Sequence, residues 1–241
     1  MLIYLLTKQL KLMNERILSI DIGGSKIKGS VLNDAGELLN DYVKLPTPKP
    51  ASPANVISTI QQLTKDFSYD KIAIGFPGYV RDGIVHTAPN LGNDLWNKVD
   101  LAHMVAQALN KPVKIANDAD MLGLGIVSGK GLEMMITLGT GFGTALFLNG
   151  KLLPHLEIAH HPIKKDMTYD EYLGNAVYEE EGAKKWNKRL EYALTVLQTV
   201  FNYDRIYIGG GNARNITFEL PANAVTVTNI EGIDGGARIW R

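Results

Sequence analysis

One order of elements occurs twice in this chain, and a chain that repeats itself this way folds as two similar lobes. In the first copy an apolar run, 17–20, ends in the carboxylate of Asp21; Gly23, Gly24, Ser25 and Lys26 follow, and a second apolar run covers 27–32. Asn33-Asp34-Ala35-Gly36 reads as a turn and 37–45 as a third strand. Pro46, Pro48 and Pro50 then forbid regular pairing. Ser52-Pro53 is an N-cap and first-turn pair, and Val56, Ile57, Ile60, Leu63 and Phe67 recur at helical spacing. A short buried strand, 71–76, runs into Pro77-Gly78. From 134 the order returns: apolar run 134–138, glycine turn Gly139-Thr140-Gly141-Phe142-Gly143, strand 144–148, the hairpin pair Asn149-Gly150, and a third strand from Lys151. A helix with Trp186, Leu190, Leu194, Leu197 and Phe201 on one face leads to the strand 205–208 and to Gly209-Gly210-Gly211-Asn212. Both copies read βββαβ.

Between the copies, 111–116 reads as a strand and 118–128 as a helix, a natural hinge. Residues 232–241 read as a short helix folding back on the first lobe. The division expected from the sequence is 1–12 as a loosely attached extension, consistent with an upstream start codon. Residues 13–116 with 229–241 form a small first lobe, and 117–228 a larger second lobe.

Composition removes several classes of function. Lysine plus arginine equals aspartate plus glutamate, 25 each, so no bulk charge argues for nucleic acid or a membrane surface. With no cysteine, disulfides, thiolate zinc sites and cysteine nucleophiles are excluded, and a cytoplasmic location fits. The apolar segment 1–6 is too short for a signal region or a membrane span.

The turn after Asp21 has chemistry as well as shape. A strand that stops at a carboxylate, beside glycines that leave backbone N–H groups uncovered, can cradle phosphate while the acid orients Mg²⁺ or its water. A glycine-rich hairpin turn is the plainer reading of either stretch taken alone. No G-x-x-x-x-G-K-[S/T] occurs, and Gly139-Thr140-Gly141-Phe142-Gly143 precedes a strand instead of a helix, so neither a P-loop nor a dinucleotide fingerprint is present. Asp118 follows a strand at a helix start, where the dipole favours negative charge; an aspartate there also serves as a cap. Asp120 is a spare carboxylate expected to point elsewhere. His155, His160 and His161 lack the H-E-x-x-H frame of a metal helix. Lys184, Lys185, Lys188 and Arg189 read as the solvated face of their helix before they read as a polyanion track.

Taken in order, these motifs resemble those of the ROK sugar kinases, in particular their polyphosphate or ATP glucokinase branch, within the actin-type ATPase and sugar-kinase superfamily. The resemblance runs from Ile17 onward. It implies an α/β fold of two duplicated βββαβα lobes, ribonuclease H-like, around a central cleft. It also implies a kinase that moves a phosphoryl group from ATP or polyphosphate to a hexose hydroxyl, glucose O6 first. Asp21, Gly23, Gly24, Ser25 and Lys26 match the first phosphate loop, with Asp21 as an indirect Mg²⁺ residue. Gly139, Thr140 and Gly141 match the second loop, and Gly209, Gly210 and Gly211 the nucleotide motif. Asn117 and Asp118 match the pair that holds the catalytic base. Asn90, with Trp96 downstream, and Glu157 with His160 match the sugar motifs. The family's zinc module is missing, as in the polyphosphate branch, so no structural zinc is expected. A homodimer is implied, with no nucleic-acid or membrane partner.

The sequence departs from the pattern where Ala159 replaces the glycine of Glu-x-Gly-His. If that position needs positive φ, alanine costs about 1 kcal/mol there and displaces His160. That possibility keeps a catalytically degraded sugar-binding protein as an alternative. A ROK-type regulator is a second one, although about twenty residues before the first loop cannot supply a DNA-binding domain.

Overall fold

The computed structural model describes residues 15–227 and 235–241. They divide into two compact units, the first running to Met121 and resumed by the C-terminal residues, the second beginning at Leu122. The division therefore falls inside a helix, five residues later than the sequence reading placed it. The reason is that Met121 packs its side chain against Gly75 of the first unit. The return to the first unit, placed at 228–229 from the sequence, and the extension 1–12 lie outside the described residues.

The first unit holds β1 Ile17–Ile22, β2 Lys26–Leu32, β3 Val43–Pro46, α1 Pro53–Thr64 and β4 Lys71–Phe76. It continues through β5 Val80–Arg81, β6 Ile84–Val85, α2 Asn93–Trp96, β7 Val99–Asp100, α3 Leu101–Leu109, β8 Val113–Asn117 and the start of α4 Asp118–Ile126. The main sheet has the order β3-β2-β1-β4-β8, antiparallel from β3 to β1 and parallel from β1 to β8. Leu18, Ile20 and Ile22 alternate onto one face, where Val56, Ile57, Ile60 and Leu63 of α1 cover them. Each such side chain, fully buried, contributes about 1.5–3 kcal/mol. Ser52 caps α1, accepting from the Asn55 amide.

The third strand is shorter than the reading of 37–45: the segment before it meets β2 through the bridge Leu32–Leu38 and the Leu39 N–H on the Val31 carbonyl, and at Asn40 side-chain hydrogen bonds interrupt the ladder. The Val31 N–H donates to the Asn40 side chain and the Ser30 hydroxyl to the Asn40 carbonyl. The small sheet β5-β6-β7 and the helix α3 were not read from the sequence; their strands of two residues each are too short to show a period.

The second unit repeats the first. It contains β9 Leu132–Leu138, β10 Phe142–Leu148, β11 Lys151–Leu152, the hairpin β12 Pro162–Lys164 and β13 Met167–Thr168, α5 Tyr169–Leu173, α6 Asn175–Phe201, β14 Arg205–Gly209 and β15 Ala224–Thr226. Its main sheet has the order β11-β10-β9-β14-β15, with the same antiparallel and parallel pairings in the same places. Met134, Ile136 and Leu138 face Trp186, Leu190, Leu194 and Leu197 of α6. That helix starts eleven residues before Trp186 and is broken at Gly182, whose φ of 77° no helix accommodates. The helix read as 118–128 stops at Ile126, since the Ser128 N–H is taken by the Glu133 carboxylate at 2.7 Å.

The chain closes on the first unit with α7 Gly235–Arg238. Gly236 lies so close to Ser19 of β1 that a Cβ would stand 2.2 Å from its hydroxyl. The ammonium groups of Lys71 and Lys114 then lie over the Trp240 ring, 5.1 and 5.0 Å from its centre. Among the described residues no helix is long and apolar enough to cross a membrane.

Candidate active site

In the first unit, sheet register gathers the candidate residues at one edge. Asp21 pairs with Gly75 across β1 and β4, Gly75 with Ala116 across β4 and β8, and Phe76 with Asn117. The parallel strands therefore deliver Asp21, the Pro77-Gly78 turn and Asn117-Asp118 at their carboxyl ends, where open α/β sheets place ligands. Gly78 is fixed by close approach: a Cβ would meet the Thr87 carbonyl at 2.0 Å. The Asn117 amide donates to the Gly78 carbonyl at 3.1 Å, and its oxygen accepts from the Ala119 N–H at 2.8 Å. Asn117 is buried and does this structural work, while Asp118 is exposed. One Asp118 oxygen also accepts from Ala119 N–H, at 2.8 Å, which orients the carboxylate at the first residue of α4. Asp120 is buried, so the two carboxylates of the first turn do go different ways.

Cross-strand register pairs Asp21 with Lys28, and their side chains meet at 3.1 Å. The following turn is closed by Gly23 N–H to the Lys26 carbonyl at 2.9 Å, and Thr47 holds it from the side. Lys26, Ser25 and Gly24 are exposed, and Asn90 is exposed beside Gly24, whose added Cβ would stand 3.3 Å from that of Asn90. The first glycine turn and Asn90 are thus neighbours. Trp96 is not a ligand residue: it is fully buried on Phe76, its indole N–H donating to the Ala51 carbonyl at 2.8 Å.

In the second unit the turn Gly139–Gly141 is closed by Gly139 N–H to the Gly141 carbonyl at 3.1 Å. Two residues that the sequence reading passed over hold it. The Asp170 carboxylate accepts from the Phe142 N–H at 2.6 Å. The Asn175 N–H, in the first turn of α6, donates to the Gly139 carbonyl at 3.0 Å. The Asn175 side-chain oxygen also accepts from Asn212 at 3.1 Å, which ties the Gly209–Gly211 run to the same helix start. Gly139, Thr140, Gly141 and the glycine run therefore form one cluster about the N-terminus of α6, where backbone N–H groups and dipole favour an anion.

Glu157 and His160 belong to the same unit. The Glu157 carboxylate lies 3.3 Å from the buried His155 imidazole and 3.7 Å from His160. The His155 hydrogen bond, helped by charge on both histidines and opposed by burial, holds the Glu157 carboxyl below the usual glutamate range. His160 stands 4.0 Å from Asp170 on its other side. Burial pushes Asp170 up, and the Phe142 N–H and His160 offset only part of that. The sequence reading weighed His155 only as a metal ligand and passed over Asp170, whose Phe142 contact spans 28 residues that no spacing pattern links. Ala159 carries no strain: it has no positive φ, sits in a 3-10 turn over Ile158–His160, and buries its methyl in the core.

Among the described residues no group of three or more His, Asp or Glu side chains gathers as a metal site. Asp21 offers one partly exposed carboxylate. That fits Mg²⁺, which takes most of its ligands from phosphates and water and needs one or two carboxylates from protein.

The model of the ROK family matches residues 17–166. The polyphosphate glucokinase of Mycobacterium leprae is 33% identical over 236 residues, covering 90% of this chain and 72% of that protein. The crystal structure of an inorganic polyphosphate/ATP-glucomannokinase from Arthrobacter sp. strain KM superposes with a TM-score of 0.82 at 29% identity, covering 93% of this chain and 97% of that one. A ROK family glucokinase from Streptomyces griseus, solved with glucose and AMPPNP, shares the fold at a TM-score of 0.74 and 19% identity, over 93% and 98% of the two chains.

Proposed function

The chain belongs to the ROK family, and from that premise we propose that it is a glucokinase-type phosphotransferase using ATP or inorganic polyphosphate. The acceptor is a hexose, and the hydroxyl phosphorylated is O6 of glucose. The observation that carries this reading is the duplicated sheet with a glycine turn after the first strand of each copy, in a chain one-third identical to a polyphosphate glucokinase.

The chemistry asks little covalent work of the protein. The sugar oxygen attacks the terminal phosphorus, the bond to the rest of the donor breaks, and the hydroxyl proton passes to Asp118. A loose transition state releases that proton late, so a carboxylate suffices. Glu157, His160 and Asn90 hydrogen-bond the sugar hydroxyls, and Asn117 holds the strand end from which Asp118 projects. Gly23, Gly24, Ser25 and Lys26, and Gly139, Thr140, Gly141 and Gly209–Gly211, supply phosphate contacts. Mg²⁺, when bound near Asp21, neutralises donor charge. A cytoplasmic location and a homodimer belong to the same proposal, the latter by family resemblance. With Ala159 unstrained, the motive for a degraded enzyme is gone.

Coupled ADP release measured over a panel of hexoses, and hexose phosphate formation repeated with polyphosphate, test the reading. Turnover with glucose is the expected result; no phosphorylation of any hexose with either donor overturns it.

A further inference from the structure

The hairpin β12–β13 and the stretch of α6 beyond Gly182 enclose a groove of about 400 Å³. Lys164, Lys165, Lys185, Lys188 and Arg189 line it. The chain as a whole carries equal numbers of acidic and basic residues, so five cations around one groove are a local concentration and not a reflection of composition. Helix geometry explains half of it, since residues 185, 188, 189 and 192 fall on one face. The hairpin supplies the rest. Lys165 sits in its turn with a φ of 54°, a conformation that glycine or asparagine takes more easily, so the turn itself gives no reason for lysine there.

Part of this charge is answered within the protein. Glu181 pairs with Lys185 at 2.9 Å and with Arg189 at 2.5 Å. The ion pairs among the described residues leave Lys164, Lys165 and Lys188 outside. The aromatic groups of the groove are already used: Arg189 lies over the Tyr172 ring at 4.7 Å and Lys164 over Tyr192 at 5.7 Å. Those faces are turned to cations, which leaves little for a nucleobase to stack on. The groove reads negative charge without reading bases, and that suits a flexible inorganic polyanion better than a nucleic acid. Its position matches. Asp170 of α5 holds the second glycine turn through Phe142, and two residues on, the Tyr172 carbonyl accepts from Arg189 at 3.2 Å. Residues of one short helix, α5, thus contact both the phosphate turn and the groove.

We propose that this groove is a second anion site, which holds the distal stretch of an inorganic polyphosphate chain whose end is presented at the Gly139–Gly141 turn. Naming polyphosphate rests on the phosphotransferase reading; binding of a polyanion to the groove does not.

The test uses the whole protein and the double variant Lys165→Gln/Lys188→Gln, neither residue belonging to the site described above. Calorimetric titration with long-chain polyphosphate, with tripolyphosphate and with an RNA oligonucleotide reads binding without catalysis. In the variant, affinity for the long chain falls about tenfold and the slope of log affinity against log salt drops by roughly one to two. Tripolyphosphate binding and the kinetics with ATP stay as in the wild type. Unchanged long-chain affinity and slope overturn the proposal, as does a wild-type protein that binds no polyphosphate or binds RNA more tightly. A protein that phosphorylates hexose from ATP yet binds no polyphosphate overturns this inference and leaves the kinase reading intact. One that binds the chain through Lys165 and Lys188 but transfers from no donor does the reverse.

Discussion

Thr47 donates its hydroxyl to the carbonyl of Gly23 at 2.6 Å, and its N–H to the carbonyl of Ser25 at 3.0 Å. A residue just past β3 thus fixes the shape of the first glycine turn from outside it. Thr47→Val keeps the volume and the backbone bond and removes the hydroxyl. Loss of one such bond costs about 1 kcal/mol, so the donor KM rises about fivefold while kcat stays within a factor of two. Steady-state kinetics at saturating glucose check this; a donor KM that does not move means that Thr47 shapes nothing the donor touches.

Asp118→Asn keeps the size of the side chain, and the Ala119 N–H keeps its other acceptor, the Asn117 side-chain oxygen. The variant folds, binds hexose and loses turnover by about 10²–10⁴-fold. Sugar-induced fluorescence change alongside the coupled assay separates binding from chemistry, and retention of more than about a tenth of the activity counts against Asp118 as the base.

The repeated sheets were legible because their first strands are buried on both faces and so read as apolar runs: Leu18, Ile20 and Ile22, then Met134, Ile136 and Leu138, each reach their own core. The glycine turns were legible because few residue types satisfy such a bend. What holds those turns was not. Thr47, Asp170 and Asn175 act through contacts to residues 24, 28 and 36 positions away, and no period encodes such a distance. Ala159 misled for a related reason. A family pattern names a glycine but not the backbone angle behind it, and here that angle is one alanine adopts.

The His155–Glu157 contact sets a pH dependence. Because the folded carboxyl of Glu157 is held below its unfolded value, its contribution to stability is present above about pH 4 and is lost as pH falls through the folded value. The hexose KM rises over the same acidic range as the carboxylate is protonated. His155→Phe removes the largest cause of the shift, so the rise in KM begins at higher pH. A glucose KM profile over acidic pH for both proteins shows it, and coincident profiles refute the coupling.

Glu133 is fully buried at the start of β9, where it accepts from Tyr207, from the Ser128 N–H and hydroxyl, and from the Gly129 and Lys130 N–H groups. Burial alone would raise its carboxyl, yet the bonds from Tyr207, Ser128 and Gly129 bring it below the usual range. Glu133→Gln removes the charge and turns one acceptor into a donor facing donors, at a cost of about 2–4 kcal/mol. Urea unfolding at pH 7 measures that loss. Since the folded value is depressed, wild type and variant converge as pH falls through it.

Gly210 and Gly211 are adjacent, and the structure asks different things of them. Gly210 has a φ of 86°, and a Cβ there would stand 2.3 Å from the Leu138 carbonyl, so Gly210→Ala deforms the end of β9 and yields a destabilised protein. Gly211 has no positive φ and nothing within 4 Å of an added Cβ. Gly211→Ala therefore leaves thermal stability within about 1 kcal/mol of wild type. Any change it brings to kinetics arises from the ligand itself. If the glycine run cradles the nucleotide, the ATP KM rises about tenfold in a protein that melts normally, while the KM for a polyphosphate donor, which carries no nucleoside, moves little. Equal effects on both donors would assign Gly211 to the shared phosphates, and no effect on either would remove it from the site.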